Sequence, residues 1–223
     1  MNSPTEENYL KALFTLSHES QQVSVKELSE HLGIKMPTVT SMMKKLAEKE
    51  LVLHESYKPL RLTDKGKQAA SLIVRKHRLT EMFLVEKMGF GWEAVHDIAE
   101  QMEHIRSPLF FQKMDEMLGF PKIDPHGSPI PDEHGHIEWK SYRKLSDCRP
   151  GEAVLFSAVI NTSSDFLSYL NSRELNLGVL VNVLSTEPFD GSMVVSYGGR
   201  KAETLSHLVC ERILVEDEAE TTR

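Results

Sequence analysis

Apolar residues recur at helical spacing over residues 6–18, where Tyr9, Leu10, Leu13, Phe14 and Leu16 define a buried side, and this predicts a first helix. A loop follows at Gln21 and Gln22. Ser24 then stands three residues before Glu27, the pairing of a capping box, and predicts a short helix over residues 25–32 that stops at Gly33. A third helix begins at Met36 and Pro37, where proline is tolerated because a first-turn amide has no helical partner. It runs to about residue 49 with Val39, Met42, Met43 and Leu46 as its inward stripe. The period then changes to two. Residues 51–55 and 60–63 alternate around Ser56, Tyr57, Lys58 and Pro59 and predict a β-hairpin. A long helix is expected over residues 64–88, then helices over 92–104 and 108–118. Residues 119–136 hold Pro121, Pro125, Gly127, Pro129, Pro131 and Gly135 and read as a connecting segment. From Trp139 onward the pattern is of short β-like runs at 153–160, 179–184, 193–197 and 213–215, with one short helix near 164–171. That pattern predicts a small β-barrel.

Composition narrows the class. A chain of 223 residues, 40% of them hydrophobic, has room for two or three cores. No run approaches the roughly 20 apolar residues of a membrane span, and the first residues do not pattern as a signal peptide. Two cysteines, Cys148 and Cys210, give no disulfide framework. The expected setting is the cytoplasm, with no membrane partner.

The net charge of -7 argues against a nucleic-acid partner until its distribution is considered. Lys35, Lys44, Lys45, Lys49, Lys58, Arg61, Lys65 and Lys67 face only Glu48, Glu50, Glu55 and Asp64, a local excess of four positive charges. Residues 76–136 have the opposite sign and hold six of the ten histidines. A basic stretch beside an acidic, histidine-rich one implies two tasks, phosphate binding and cation binding.

Helix, glycine turn, helix and hairpin make a winged helix-turn-helix, whose second helix lies in a major groove of duplex DNA. Lys35, Pro37, Thr38, Thr40, Ser41, Lys44 and Lys45 on that helix, with Lys58 in the wing, are the candidate DNA-binding residues. Hydroxyl and ammonium groups are suitable donors to phosphates and base edges, but the short hydroxyl side chains reach little base surface, so steep salt dependence and partly shape-based specificity are expected. A winged helix used only for protein contacts is the plain alternative.

His77 and Glu81 lie one helical turn apart, and His96, Glu100, Glu103 and His104 fall at i, i+4, i+7 and i+8. A stripe that should face the core is thus filled by ionisable groups. Burying them unpaired costs several kcal/mol each, which a divalent cation resolves. Imidazole and carboxylate without thiolate suit a hard first-row ion such as Mn(II). Histidines and glutamates on a solvated helix are the competing reading, and His126, His134 and His136 fit plain loop residues as well.

These residues also resemble a known family. Glu7-Asn8-Tyr9-Leu10, Pro37-Thr38-Val39-Thr40, Leu62-Thr63-Asp64-Lys65-Gly66, the run from Arg75 through Glu81, the run from Val95 through His104, and Gly119-Phe120-Pro121-Lys122 are similar to the diphtheria toxin repressor family. The resemblance covers nearly the whole chain. It implies a mainly α protein with α+β parts: a winged helix-turn-helix at 1–73, a helical metal-binding and dimerisation domain at 74–140, an SH3-like β-barrel at 141–216 and an acidic tail at 217–223.

The resemblance further implies a homodimer on an operator, controlling metal uptake, with Mn(II) as cofactor and Fe(II) as the other candidate. One metal site would use His77, Glu81, His96 and Asp165; the other would use Glu100, Glu103, His104 and Asn8. Glu100 stands where iron-type members carry Cys and favours Mn(II). Asn8 departs from the Asp usual in manganese-type members, and Glu7 is its alternative. Asp124 and His126 are secondary candidates. The rivals are a metal-independent winged-helix regulator and a metalloenzyme. The latter is disfavoured by the lack of a His-Glu-x-x-His run or a nucleophile elbow.

Overall fold

A computed structural model describes residues 2–19, 22–55, 58–160 and 162–217. The chain forms two compact units. One comprises Met1–Thr80, Ala99–Lys122 and Ile130–Glu138; the other comprises Glu81–Ile98, Ile123–Pro129 and Trp139–Arg223.

The first unit opens with α1 (Pro4–Glu19), α2 (Val25–Leu32) and α3 (Met36–Glu48). The Ser24 hydroxyl accepts the Glu27 amide at 3.1 Å, and the Glu27 carboxylate accepts the Ser24 amide at 2.6 Å, so two orphan amides of α2 are satisfied reciprocally. Gly33 ends α2 at φ 65°, the left-handed conformation glycine adopts at no steric cost. Val39, Met43 and Leu46 of α3 are buried with Tyr9, Leu10 and Leu13 of α1, Leu28 of α2, and Ala70 and Ile73 of α4 (Asp64–Met88).

The hairpin is shorter than its sequence pattern. Only β1 (Val52–Leu53) and β2 (Arg61–Leu62) pair, antiparallel, because Leu60 instead bridges to Val23, its amide donating to the Val23 carbonyl at 2.8 Å. Ser56 and Tyr57 of the expected turn, and Gln21 of the expected loop, lie outside the described residues. The Thr63 hydroxyl accepts the Gly66 amide at 3.0 Å at the start of α4. Gly66 is needed there because a Cβ would fall 1.9 Å from the Leu51 carbonyl oxygen. Arg75 ties α4 to the Asp115 carboxylate of α6 (Pro108–Leu118) and donates to the Pro131 carbonyl at 2.6 Å.

The helix expected over 92–104 forms only as α5 (His96–Met102). Ahead of it the Ala94 amide closes a turn on the Gly91 carbonyl, and the Trp92 indole donates to Asn171 Oδ1 at 2.7 Å, which holds this stretch out of a helix.

The second unit is built on a six-stranded antiparallel sheet in the order β3-β8-β4-β5-β6-β7. Its strands are β3 (Arg143–Lys144), β4 (Ala153–Val159), β5 (Leu180–Thr186), β6 (Met193–Tyr197), β7 (Arg200–Leu205) and β8 (Ile213–Asp217). Alternate residues of β4, β6 and β8 are buried, and α7 (Ser164–Ser172) packs Phe166, Leu167 and Leu170 into the same core. Strands β3 and β7 were not expected from the pattern: each is polar along most of its length and is held by main-chain pairing to β8 and β6. Asp217, assigned above to the tail, is the last residue of β8; residues 218–223 lie outside the described ones. Among the described residues no helix is long and apolar enough to cross a membrane.

Candidate metal centres and nucleic-acid interface

On α3, Pro37, Thr38, Ser41, Lys44 and Lys45 are exposed and Thr40 is half-buried; Lys35, the N-cap of the helix, is exposed as well. The hydroxyls of Thr40 and Ser41 each donate 3.0 Å to the carbonyl one turn back, which leaves their lone pairs outward. Lys45 is less available: its Nζ is 3.2 Å from Glu6 Oε1 on α1. Lys58 pairs with Glu55. Among the described residues Lys35 and Lys44 make no ion pair, so they are the cations readiest for phosphate.

Glu6 is itself buried, and it receives Lys49 at 2.7 Å and the Ser3 amide at 2.7 Å as well as Lys45. Burial alone would raise its pKa. The hydrogen bonds from Lys49, Ser3 and Lys45 outweigh burial and hold it at about 2.

Next to Glu6 in sequence, α1 presents a different face to the first carboxylate–imidazole cluster, which lies wholly in the first unit. Glu103 is fully buried. Its Oε2 lies 2.7 Å from His77 Nδ1 and 2.8 Å from Lys11 Nζ, and Lys11 also contacts Glu100. His104 Nδ1 lies 2.7 Å from Glu7 Oε2; since a carboxylate only accepts, Nδ1 is the donor and Nε2 is the ring nitrogen turned to the other side. That Nε2 is 3.8 Å from Glu103 Oε1, too far for a hydrogen bond.

The second cluster lies wholly in the second unit. Glu81, Asp124 and His126 are all buried, each with a ligand atom within 4.8 Å of the others. His96 Nδ1 is 3.3 Å from Glu81 Oε1. The loop carrying this cluster is firmly built. Asp124 Oδ1 accepts the amides of His126 (2.8 Å) and Ser128 (2.9 Å), and the His126 carbonyl accepts the Val159 amide of β4 at 3.0 Å. His126 Nε2 donates to the Trp92 carbonyl at 2.9 Å, and the two rings stack at 5.8 Å. That fixes the tautomer, leaving Nδ1 directed at Glu81, 3.6 Å away. Burial opposes charging of His126, but Glu81 and Asp124 outweigh it and raise its pKa.

A divalent cation fits both clusters by one test. Among the described residues, the buried side-chain acceptors without a hydrogen-bond partner are Asn8 Oδ1, Glu103 Oε1 and His126 Nδ1. The donors are oxygen and nitrogen only: Cys148 and Cys210 are buried, and burial pushes their thiols up to about 11 and about 12, so neither offers a thiolate.

The structure thus groups the donors as His77 with Glu103 and as Glu81 with His96, Asp124 and His126. Asp165 is exposed in the first turn of α7 and, among the described residues of the second unit, joins no such group; Ser163 and Ser164 beside it line a small cleft with His96 and Asp97. His18, His31 and His207 are exposed and His54 half-buried. Sequence reasoning missed Lys11, Glu6 and Trp92. Lys11 and Glu6 carried one signal, a charge on a helix whose neighbours are apolar.

Comparison with known proteins places the chain. Residues 1–60 match "Iron dependent repressor, N-terminal DNA binding domain". Residues 63–132 match "Iron dependent repressor, metal binding and dimerisation domain", and residues 143–217 match "FeoA domain". The iron-dependent repressor IdeR of Mycobacterium leprae (strain TN) is 33% identical over 225 residues, covering 95% of this chain and 96% of that protein. The chain belongs to the diphtheria toxin repressor family.

IdeR of Mycobacterium tuberculosis (strain ATCC 25618 / H37Rv) aligns over 127 residues at 33% identity, 57% of this chain but only 55% of that relative's length. A solved manganese-dependent transcriptional repressor in complex with manganese is 35% identical, covers 95% of this chain and 99% of its own, and superposes with a TM-score of 0.86. A solved manganese regulator, SloR, is 30% identical with a TM-score of 0.77 over 97% of this chain and all of that one. The family consists of metal-dependent, DNA-binding transcriptional repressors with a C-terminal SH3-like module in this long form, and enzymatic readings of the clusters fall away.

Proposed function

We propose that this protein is a Mn(II)-responsive repressor of metal-uptake genes that acts in the cytoplasm as a homodimer on duplex operator DNA. One observation carries the reading: among the described residues, the buried side-chain acceptors without a hydrogen-bond partner are Glu103 Oε1 and His126 Nδ1, one in each carboxylate–imidazole cluster, and Asn8 Oδ1 on the helix that carries Glu7. Their oxygen and nitrogen donors favour Mn(II), with Fe(II) second. The manganese-dependent repressor of similar fold supports the same choice.

In the first cluster Asn8, Glu100, Glu103 and His104 would hold the ion, and Glu7 would orient His104 rather than act as a ligand. In the second, Glu81, Asp124 and His126 would hold it, with His96 beside Glu81. The ion supplies the positive charge that these buried acceptors lack. The protein's own residues carry the effect onward within the first unit. Asn8 and Glu7 lie on α1, Glu6 on the same helix is bonded to Lys45 and Lys49, and the core of α1 packs on Val39 and Met43. Fixing α1 therefore fixes α3, whose Lys35 and Lys44 face the phosphates.

We assign DNA reading to residues 1–73, metal binding and dimerisation to residues 74–140 and the SH3-like module to residues 141–216. On α6 the exposed Leu109, Phe110 and Met117, followed by exposed Phe120, offer an apolar face to a second copy.

The test titrates chelator-treated protein with Mn(II), anaerobic Fe(II) and Zn(II) against a duplex selected from random sequence in Mn(II). Mn(II) should tighten binding by about tenfold to a hundredfold, in the range of ordinary allosteric coupling. Equal binding in chelator rejects the switch.

A further inference from the structure

We propose that Lys11 is a tethered competitor of the metal: its ammonium group occupies Glu100 and Glu103, and the ease of expelling it sets the metal concentration to which the repressor responds. The inference rests on the reading of Glu100, Glu103 and His104 as metal-holding residues, and it adds a residue that is not itself a ligand.

Glu103 is fully enclosed, and a buried carboxylate without a counter-charge is costly. Lys11 provides that charge. Its Nζ is 2.8 Å from Glu103 Oε2 and contacts Glu100 Oε1, while its side chain is only 16% exposed. Lys11 follows Asn8 by three residues and Glu7 by four, so all three project from one face of α1. A cation held by Glu103 Oε2 and Glu100 Oε1 would therefore take the place that the Lys11 ammonium group occupies.

A purely structural ion pair would be expected to satisfy the groups it encloses. This one does not. Glu103 Oε1 stays buried without a hydrogen-bond partner, His104 Nε2 stands 3.8 Å from it without bonding to it, and one turn of α1 from Lys11 the Asn8 Oδ1 is buried without a partner as well. The cluster holds more acceptors than one ammonium can serve. Lysine also suits a counter-ion that must be given up. It is a point charge on a flexible stem, without the planar fork that makes arginine pair with carboxylate in two parallel bonds. The exposed part of the stem gives it a way out to solvent.

The exchange is a substitution of charge. A single positive charge leaves Glu100 and Glu103 and a double one takes its place, with Lys11 remaining an ammonium group in water throughout. The work of breaking two partly buried ion pairs is subtracted from the metal's affinity, so the protein responds at a higher metal concentration than its donors alone would set.

The experiment uses the full chain with Lys11→Gln, Lys11→Arg and Glu103→Gln. Mn(II) binding is read by electron paramagnetic resonance titration, and thermal unfolding is read in chelator and in Mn(II). Lys11→Gln should bind Mn(II) about tenfold more tightly at one site (about 1.4 kcal/mol), melt lower than the parent in chelator, and gain more from Mn(II). Lys11→Arg, which keeps the charge and adds a second bond, should bind more weakly than the parent.

Unchanged or weaker Mn(II) affinity in Lys11→Gln, with equal loss of melting temperature in chelator and in Mn(II), overturns the proposal and makes Lys11 a structural ion pair. Glu103→Gln separates this from failure of the site itself. It should lose one bound Mn(II); full retention of Mn(II) would remove the metal site and the competitor together. If Lys11→Gln fails to fold in chelator, Lys11→Arg alone still decides, since affinity equal to or tighter than the parent's contradicts competition by charge.

Discussion

In the first unit the buried carboxylate Glu103 is met by an ammonium group, Lys11, and by His77; in the second, the imidazoles of His96 and His126 approach the buried Glu81. The supports differ in the same direction. The first cluster is carried on helices, and its Lys11 ammonium sits on a flexible side chain that can swing away. The second is seated on a loop bonded at Asp124, at the His126 carbonyl and at His126 Nε2. Preorganised ligands lose little freedom on binding, so the second cluster is suited to holding an ion and the first to exchanging one. A sensor needs the exchangeable kind at the element that moves the DNA-reading helix. Among the described residues only the first cluster includes α1, and α1 carries Glu6 to Lys45 of α3 and to Lys49, its C-cap.

The largest effect that separates the two clusters is expected from His104→Ala. It removes a donor whose tautomer Glu7 has already set. Loss of an outer partner alone typically costs 10–100-fold in metal affinity, and loss of the donor itself should cost at least about a hundredfold. Metal-dependent DNA binding should disappear while one equivalent of Mn(II) stays bound at Glu81, Asp124 and His126. Gel shifts paired with metal analysis decide this. If His104→Ala loses both equivalents, the clusters are not independent and the contrast drawn above is wrong.

A smaller effect, on the other cluster, is expected from Gly127→Ala. Gly127 has φ 86°, and a Cβ there would lie 2.2 Å from the Ser157 carbonyl oxygen and 2.6 Å from the Ala158 Cα. The loop must lift off β4, and Asp124 and His126 move with it. We expect about 1–3 kcal/mol of destabilisation from the strained backbone and loss of the second equivalent of Mn(II), with the metal response of DNA binding shifted but present. Retention of both equivalents would show that the loop's rigidity is irrelevant to the site.

How much of this was legible in the sequence depends on how local the cause is. The boundaries of α2, α4 and α6 follow from neighbours in the chain: Ser24 with Glu27, Thr63 before Asp64, Ser107 before Pro108. Their spans were readable for that reason. Strands β3 and β7 are held by partners far away in sequence and carry few apolar residues, so no periodicity announced them. The helix over 92–104 failed at its start because Trp92 is spent on Asn171 and His126, which are remote along the chain.

The clusters show the same limit. Composition and spacing single out the donor residues, but which of them meet is decided by packing. His77 reaches Glu103, 26 residues on, and Asp124 and His126 read as loop residues until the Asx turn and Gly127 seat them. Lys11 was invisible for the plainest reason: one lysine on a helix looks like solvated surface unless the carboxylates opposite it are known.

The smallest effect probes the link between the first cluster and α3, and it concerns pH. Glu6 has its carboxyl depressed from 4.5 to about 2 in the folded chain. A depressed carboxyl binds its proton less readily folded than unfolded. Its contribution is therefore complete above about pH 4.5 and is lost as pH falls towards 2. Hydrogen bonds to a charged group contribute about 1.5–3 kcal/mol, and the exposed parts of Lys45 and Lys49 argue for the lower end. Glu6→Gln should lower stability by that amount at neutral pH and flatten the acid limb between pH 4.5 and 2. Denaturant unfolding in chelator measures this without interference from metal. The same variant should leave Mn(II) binding at both clusters intact while weakening its effect on DNA affinity a few-fold, because the ion would still fix α1 but α1 would hold α3 less firmly. Full metal control of DNA binding in Glu6→Gln would mean that the signal reaches α3 through the apolar contacts of Tyr9, Leu10 and Leu13 alone.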